Sequence, residues 1–259
     1  KQGQITEQQL RIMGIPYLVL DKESDCAADL PALLNTMGQQ SRPVAVLIKK
    51  GTFSAYQPVN QSISDFSLSR ESALNTLLSE FKQDHIVVST TGKTSREVFE
   101  LRQKRGEAPS DFLTVGGMGH TSSIAMGIAL ASPHRQVVAI DGDGSMLMHL
   151  GALPIIGNHG CQNLVHIVLN NQCHESVGGQ PTVAGQIDMQ KLAMACGYQA
   201  YYCAVDNQQI ADVWSKITAN SGPVFFEIKI AKGARDDLGR PTSSPIENKQ
   251  AFMQHAGSA

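Results

Sequence analysis

The sequence predicts an α/β fold, a doubly wound and mainly parallel sheet with helices on both faces. Three observations carry that expectation. From residue 70 onward, short apolar runs alternate with longer segments of helical character, the order that builds a parallel sheet through crossovers. The apolar run 136–140 (QVVAI) stops at Asp141-Gly-Asp-Gly144, as a buried strand stops at a tight turn. The run 164–169 (LVHIVL) stops in the same way at Asn170-Asn171, and residues 145–169 between them suffice for one helix and its connections. Two parallel strands joined by that crossover would deliver Asp143 and Asn171 to one edge of the sheet.

The elements follow in order. Thr6-Glu-Gln-Gln9 has the pattern of a capping box, with Leu10, Ile12 and Met13 behind it and Gly14 placed to stop the helix. A strand at 16–20, a helix at 27–37 and a strand at 44–49 come next. These are too few to bury both faces of a sheet, so further strands are expected from outside this chain, which begins with Lys1 and reads as a piece of something longer. Between 51 and 67 periodicity fades into turn-rich sequence. The expected division is therefore a first domain at 1–57, a linker at 58–68 and a second domain with a C-terminal tail at 69–259. Helices are expected at 70–81, 95–104, 122–131, 189–196 and 208–220, and strands at 85–89, 111–115, 136–140, 164–169, 200–205 and 224–230. Pro154 falls inside the crossover after Gly144, where it should kink or shorten the helix.

Composition narrows the function classes. The 259 residues are 42% hydrophobic and 17% charged, ordinary for a soluble protein with a real core. A net charge of −2 argues against nucleic acid or an anionic membrane as a general partner. No apolar run reaches membrane-spanning length, and no signal peptide is visible. Cys26, Cys161, Cys173, Cys196 and Cys203 are odd in number and form no C-x-x-C pair, which fits free thiols in a reducing cytoplasm.

At the predicted sheet edge the chemistry on offer is oxygen. The carboxylate of Asp143 and one or two asparagine amides stand beside Gly142 and Gly144, which let an anion approach the backbone. Magnesium takes six oxygens and usually shares them with phosphates. Residues 89–95 (STTGKTS) contain Gly-Lys-Thr, but a P-loop requires glycine where Val87 stands. The loop still precedes a helix whose N–H groups favour an anion, with plain helix capping by Thr94 or Ser95 as the alternative. Residues 116–123 (GGMGHTSS) allow close approach of a ligand. Met118 there is read either as a ligand contact or as a gap-filling core residue, and His120 either touches substrate or caps the next helix. His174 opens a glycine-rich loop, and histidine is a common proton-transfer residue, so it either moves a proton or faces substrate, or else makes a loop-stabilising hydrogen bond.

Gly142-Asp143-Gly144, the interval and Asn170-Asn171 together resemble the magnesium- and diphosphate-binding signature of the thiamine diphosphate enzymes, with an interval slightly longer than in many of them. STTGKTSREVFE, GGMGHTSSIAMGIAL, HIVLNNQCHESVGGQPT and ARDDLGRPTSSPIENK look like the thiamine diphosphate-dependent 2-oxo acid decarboxylases, those acting on phosphonopyruvate above all and on sulfopyruvate more distantly. The likeness runs from Ile15 to Phe252. It implies a thiamine diphosphate-binding fold, with residues 1–57 as the end of a pyrimidine-binding domain and residues 69–259 binding the diphosphate. It further implies cofactor contacts from Gly92, Lys93, Thr94, Ser95, Gly117, Met118, Gly142, Asp143, Gly144, Ser145 and Asn171, with Met118 wedged beneath the cofactor. Mg2+ would be held by the Asp143 carboxylate, the Asn171 side-chain oxygen and the Cys173 carbonyl.

The implied reaction is decarboxylation of a small 2-oxo acid, 3-phosphonopyruvate, to phosphonoacetaldehyde and CO2, with His174 and His120 as catalytic residues. Lys93, Arg96, His120, His174, Arg235 and Arg240 are candidates for the phosphonate. The glutamate that activates the cofactor in such enzymes has no counterpart in this chain, so a pyrimidine domain of the same or a second subunit is expected to supply it, in at least a homodimer. Rival readings are a sulfopyruvate or other 2-oxo acid decarboxylase, and a non-catalytic subunit of the same fold. A Rossmann dehydrogenase fits poorly, because no G-x-G-x-x-G follows the first strand of the second domain.

Overall fold

The structure, a computed structural model, describes residues 2–54 and 65–257. The chain divides into two compact units, Lys1–Ser62 and Ile63–Ala259. Most of the expected linker, residues 58–64, lies outside the described residues.

The first unit contains α1 (Gln2–Ile12), β1 (Tyr17–Leu20), α2 (Cys26–Gln40) and β2 (Ala45–Ile48). Its strands pair in parallel, from Tyr17 opposite Ala45 to Leu20 opposite Ile48. The capping box expected at Thr6 does not form, because α1 already begins at Gln2 and Thr6 sits inside it. Gly3 is the one poor helix former upstream and does not stop α1, so local cap preference at Thr6 yields to continuation of the helix. Gly14 does end the segment, at φ +64°. Asp25 sets the start of α2 by accepting from the N–H groups of Ala27 and Ala28 at 3.0 and 3.2 Å. Among the described residues of this unit only Leu10 and Leu20 are buried apolar side chains, while Leu34, Met37, Val46, Ile48 and Phe53 stay exposed. So small a set of elements closes little core, as its length predicts.

The second unit contains α3 (Arg70–Glu80), β3 (Ile86–Ser89), α4 (Lys93–Lys104), β4 (Phe112–Leu113), α5 (Thr121–Ala131), β5 (Val137–Gly142), α6 (Asp143–Met148), α7 (Ala152–His159) and β6 (Leu164–Asn170). It continues through a short hairpin, β7 (Cys173–His174) and β8 (Gln180–Pro181), then α8 (Met189–Ala195), β9 (Ala200–Ala204), α9 (Asn207–Ile217), β10 (Val224–Lys229) and α10 (Pro245–Gly257). Six strands form one parallel sheet in the order β4-β3-β5-β6-β10-β9.

Strand periodicity divides the core. Val87, Val138, Ile140, Val165 and Ile167 point to one face and pack under α3, α4 and α9, with Leu74, Leu77, Val98, Ile210 and Trp214. Ile86, Val88, Val137, Ala139, Leu164 and Val168 point to the other and pack under α5, α7, α8 and α10, with Ala125, Ile156, Ala193 and Phe252. Because both faces are covered, the central strands read as near-continuous apolar runs rather than alternating ones, interrupted by His166 in β6 and Glu227 in β10.

Two further features of the second unit bear on the sequence reading. The crossover helix expected around Pro154 is short, as a proline there requires: α6 ends at Met148 and α7 starts at Ala152, with Pro154 in the first turn of α7, where its missing N–H has no intrahelical partner to lose. The tail also holds a helix, α10, that was not foreseen. Its signal was present as Ser244-Pro-Ile-Glu247: the Glu247 carboxylate accepts from the Ser244 N–H at 2.7 Å and the Ser244 hydroxyl accepts from the Glu247 N–H at 3.2 Å, with Pro245 at the first helical position. Asn248 of α10 then pairs with the free edge of β4, accepting from the Leu113 N–H at 3.1 Å and donating to the Asp111 carbonyl at 3.0 Å.

Close approach fixes α7 against the end of α8. A Cβ on Gly157 would lie 1.8 Å from the Cys196 carbonyl oxygen, a backbone atom that no rotamer can move aside. Gly157→Ala is expected to cost about 3 kcal/mol through overpacking, read as a lower urea midpoint at unchanged slope; an unchanged midpoint would mean that α7 can shift freely.

Candidate active site at the sheet's carboxyl edge

Crossovers from β3 and β5 leave toward opposite sides of the sheet, so the loops after these two adjacent strands diverge and open a crevice at their carboxyl ends. A cavity there is lined by Arg70, Thr90, Thr91, Lys93 and Thr94, by Met118, by Gly142 to Ser145, and by Leu169, Asn171, Cys173 to Val177 and Ile230. Three loops and the short hairpin meet in it.

The loop after β3 brings the N-terminus of α4. Gly92 stands before the helix at φ +103°, and a Cβ there would lie 2.9 Å from the Ser176 hydroxyl of the hairpin. No side chain caps α4 and its first turn holds no acid, so free N–H groups and the helix dipole face the cavity beside Lys93 and Thr94. Capping by Thr94 or Ser95 is therefore excluded. Ser95 turns inward instead, 3.0 Å from the Ser89 hydroxyl and hydrogen-bonded to the Thr90 carbonyl, so it braces the loop from behind and does not line the cavity.

The loop after β5 carries the carboxylate. Asp143 opens α6 and is only 2% exposed. Burial pushes its carboxyl above the usual carboxylate range, opposed by the Thr182 hydroxyl and by the N–H groups of Gly144 and Asn171. Register places Gly142 opposite Leu169, so Asp143 and Asn171 leave neighbouring strand ends together. The Asn171 side-chain oxygen accepts from the Cys173 N–H at 3.1 Å, which fixes its orientation and leaves a second lone pair. Thr182 N–H donates to the Gln172 carbonyl at 2.9 Å, making 172 and 182 the hydrogen-bonded pair of the hairpin. The next pair, Cys173 and Pro181, is then a non-bonded one, and the Cys173 carbonyl is not consumed by its cross-strand neighbour. Burial raises the Cys173 thiol, keeping it protonated and unreactive.

Ser145 joins the loops. Its hydroxyl oxygen accepts from the Thr90 hydroxyl and from the Gly119 N–H, both at 3.0 Å, tying the segments after β3, β4 and β5 to one atom. Met118 lines the cavity, whereas Gly117 does not. His174 lines it too and packs on Gly144, where a Cβ would lie 2.5 Å from its Nδ1. His120 stands apart. It occupies the position before α5 without capping it, is exposed, and meets the His149 ring edge-on at 4.8 Å between centroids. Arg96, Arg235 and Arg240 do not line the cavity either, and Arg235 is engaged by Glu71, Glu100 and Asp237.

Sequence reasoning missed the ionic brace beneath the site. Arg70 binds Glu97 through Nε at 2.7 Å and Nη2 at 3.0 Å, and Glu175 through Nη1 at 2.5 Å, while Glu175 also accepts from the Gly233 N–H. Burial would raise Glu175, but Arg70 outweighs it and holds the carboxyl below its ordinary range. Thr182 was missed as well. Neither had a local signal, since their partners lie far along the chain.

The donor set fits a magnesium diphosphate. Among the described residues no three His, Cys, Asp or Glu side chains cluster as a self-sufficient metal site. One carboxylate, one amide oxygen and one backbone carbonyl from residues lining the same cavity would make half an octahedral shell, with phosphate oxygens and water to complete it.

The family description "Thiamine pyrophosphate enzyme, C-terminal TPP binding domain" matches residues 90–228. A phosphonopyruvate decarboxylase of Streptomyces viridochromogenes is 34% identical over 96% of this chain, which spans 66% of that relative's length. A sulfopyruvate decarboxylase subunit beta of Methanothermobacter thermautotrophicus is 35% identical over 60% of this chain and 78% of its own. The solved structure of a chain named as a thiamin diphosphate-dependent enzyme from Mycobacterium smegmatis superposes with a TM-score of 0.53 at 21% identity, over 72% of this chain and 37% of that one, a likeness of fold. No described helix is long and apolar enough to cross a membrane.

Proposed function

Since the chain belongs to the thiamine pyrophosphate enzymes through their C-terminal TPP-binding domain, we propose that it holds the diphosphate end of thiamine diphosphate through Mg2+ and serves the decarboxylation of 3-phosphonopyruvate to phosphonoacetaldehyde and CO2. The observation that carries this reading is the meeting of Asp143, Asn171 and the open N-terminus of α4 in one cavity. Asp143, Asn171 and the Cys173 carbonyl would ligate the metal, and the N–H groups after Gly92 with Thr94 would receive the diphosphate. Residues 1–57 are assigned to the end of a pyrimidine-binding domain, whose remaining part, with the activating glutamate, would come from the same or a second subunit of a homo-oligomer. Five free cysteines favour a cytoplasmic setting.

Decarboxylation leaves an electron pair on an acyl carbon that cannot hold it, and thiamine diphosphate supplies the electron sink when bound. This chain's own contributions are orientation, charge and a proton. Met118 would support the cofactor from one wall of the cavity. Lys93 offers a cation for the substrate's phosphonate, beside the helix dipole. His174, which packs on Gly144, would hand a proton to the product side. His120 lies outside the cavity lining and would need a substrate reaching beyond it.

The test is turnover of 3-phosphonopyruvate by the native-length protein with thiamine diphosphate and Mg2+; absence of CO2 release would reject the reading. His174→Ala is expected to lower kcat about a hundredfold with little change in cofactor affinity, and an unchanged kcat would remove His174 from the chemistry. A sulfopyruvate decarboxylase subunit is the second reading, favoured by the larger share of the Methanothermobacter subunit that the chain spans. Faster turnover of sulfopyruvate, or turnover only with a separate partner chain, would select it.

A further inference from the structure

We propose that Thr182 is a positioning residue for the metal site, a hydroxyl that fixes the Asp143 carboxylate and at the same time ties it to the turn carrying the other two ligands. The inference rests on the reading that Asp143 ligates the metal. Thr182 Oγ1 donates to Asp143 Oδ2 at 2.5 Å. The direction is fixed, because the same oxygen accepts from the Ala184 N–H at 3.3 Å and its hydrogen is then free for the carboxylate. Thr182 N–H meanwhile holds the Gln172 carbonyl at 2.9 Å. One residue thus spans both ligand-bearing segments.

The turn it holds is one that would not keep its shape alone. Gln172 adopts φ +59°, a left-handed conformation uncommon for a residue with a side chain, and it is this turn that puts Asn171 and Cys173 on the same side. A second clamp works from below, where Asn170 donates to Glu227 at 2.7 Å and accepts from the Gln172 N–H at 3.1 Å. The Asn171 N–H also reaches the Asp143 carboxylate, and Thr182 adds the side-chain hydroxyl that ties the carboxylate to the far strand of the hairpin. Hydrogen bonds of this kind to a ligating group typically change metal affinity ten- to a hundredfold, because they fix the ligand's orientation before the ion arrives.

The experiment titrates Mn2+ into the native-length protein saturated with thiamine diphosphate, reading free Mn2+ by its electron spin resonance, for wild type, Thr182→Val, Thr182→Ser and Asp143→Ala. Thr182→Val keeps the shape and removes the hydroxyl, and is expected to raise the half-saturating Mn2+ concentration about tenfold to a hundredfold, with the metal-free melting temperature close to wild type. Thr182→Ser restores the donor and should return the affinity to near wild type. Wild-type affinity in Thr182→Val, with binding lost in Asp143→Ala, would overturn the role of Thr182 and leave the metal reading intact. Wild-type affinity in Asp143→Ala would overturn both. Should Thr182→Val not fold, Thr182→Ala is compared with Thr182→Ser, and equal Mn2+ affinity in that pair overturns the proposal.

Discussion

Asp143→Ala is expected to abolish the stabilisation that thiamine diphosphate and Mg2+ together confer on the native-length protein. A ligand present at a hundred times its dissociation constant stabilises the folded state by about 2.7 kcal/mol. For a protein of this size that corresponds to a rise of roughly 5–10 °C in melting temperature. On the proposed metal site, the ion would lose its anionic protein ligand without the Asp143 carboxylate, and the diphosphate would be left with the N–H groups of α4. The apo protein should fare differently. Asp143 is buried and its carboxyl is raised by that burial, so an uncharged replacement removes a desolvation cost and should leave the ligand-free melting point near wild type. Differential scanning fluorimetry with and without cofactor and metal measures both effects at once. A variant that still gains the full shift would show that Asp143 does not hold the metal.

Arg70→Ala should be the most destabilising substitution in the second unit. Its side chain is 6% exposed and Glu97 only 1%. Removing the guanidinium leaves a buried carboxylate without its counter-ion, a change that typically costs about 3–5 kcal/mol and here also frees Glu175 from the hairpin's anchorage. The penalty has a pH signature. Burial already raises Glu97 above the ordinary carboxylate range, and Arg70 is the group that opposes it; the remaining neighbours, Glu71 and Glu175, raise it further. In the variant the folded protein therefore binds the Glu97 proton more tightly than the unfolded chain does. Stability tied to that proton is fully present below the unfolded value near 4.5 and is lost as pH rises through the folded one. The gap in melting temperature between wild type and Arg70→Ala should be wide at pH 8 and narrower at pH 5. A gap independent of pH would show that Glu97 is not the group left uncompensated.

Much of this architecture was legible because its signals are local. Buried parallel strands must be apolar on both faces, so residues 86–89, 137–142, 164–170 and 224–229 announce themselves as runs. The meeting of Asp143 and Asn171 was legible for a related reason. Asp143 and Asn171 follow two such runs directly, and a parallel crossover leaves their separation little choice. Helix starts were less legible. Thr6 had the chemistry of a cap and lies within a helix, whereas Ser244 and Glu247 form a capping box that a tail of mixed composition concealed. His120 shows the same limit, since a histidine in a glycine-rich loop can face a ligand or a neighbouring ring, and here it meets His149.

By itself, then, the amino-acid order determined the class of fold and the two strand ends, at Asp143 and Asn171, that meet at one edge of the sheet. Tertiary structure alone decided what holds those side chains still. Arg70 reaches Glu175 across 105 positions of chain and Thr182 reaches Asp143 across 39. Such contacts leave no periodic trace, because a single charged or hydroxyl side chain costs the same in sequence whether it meets water or a partner. Only when the chain is packed and water is excluded does the identity of that partner carry energy.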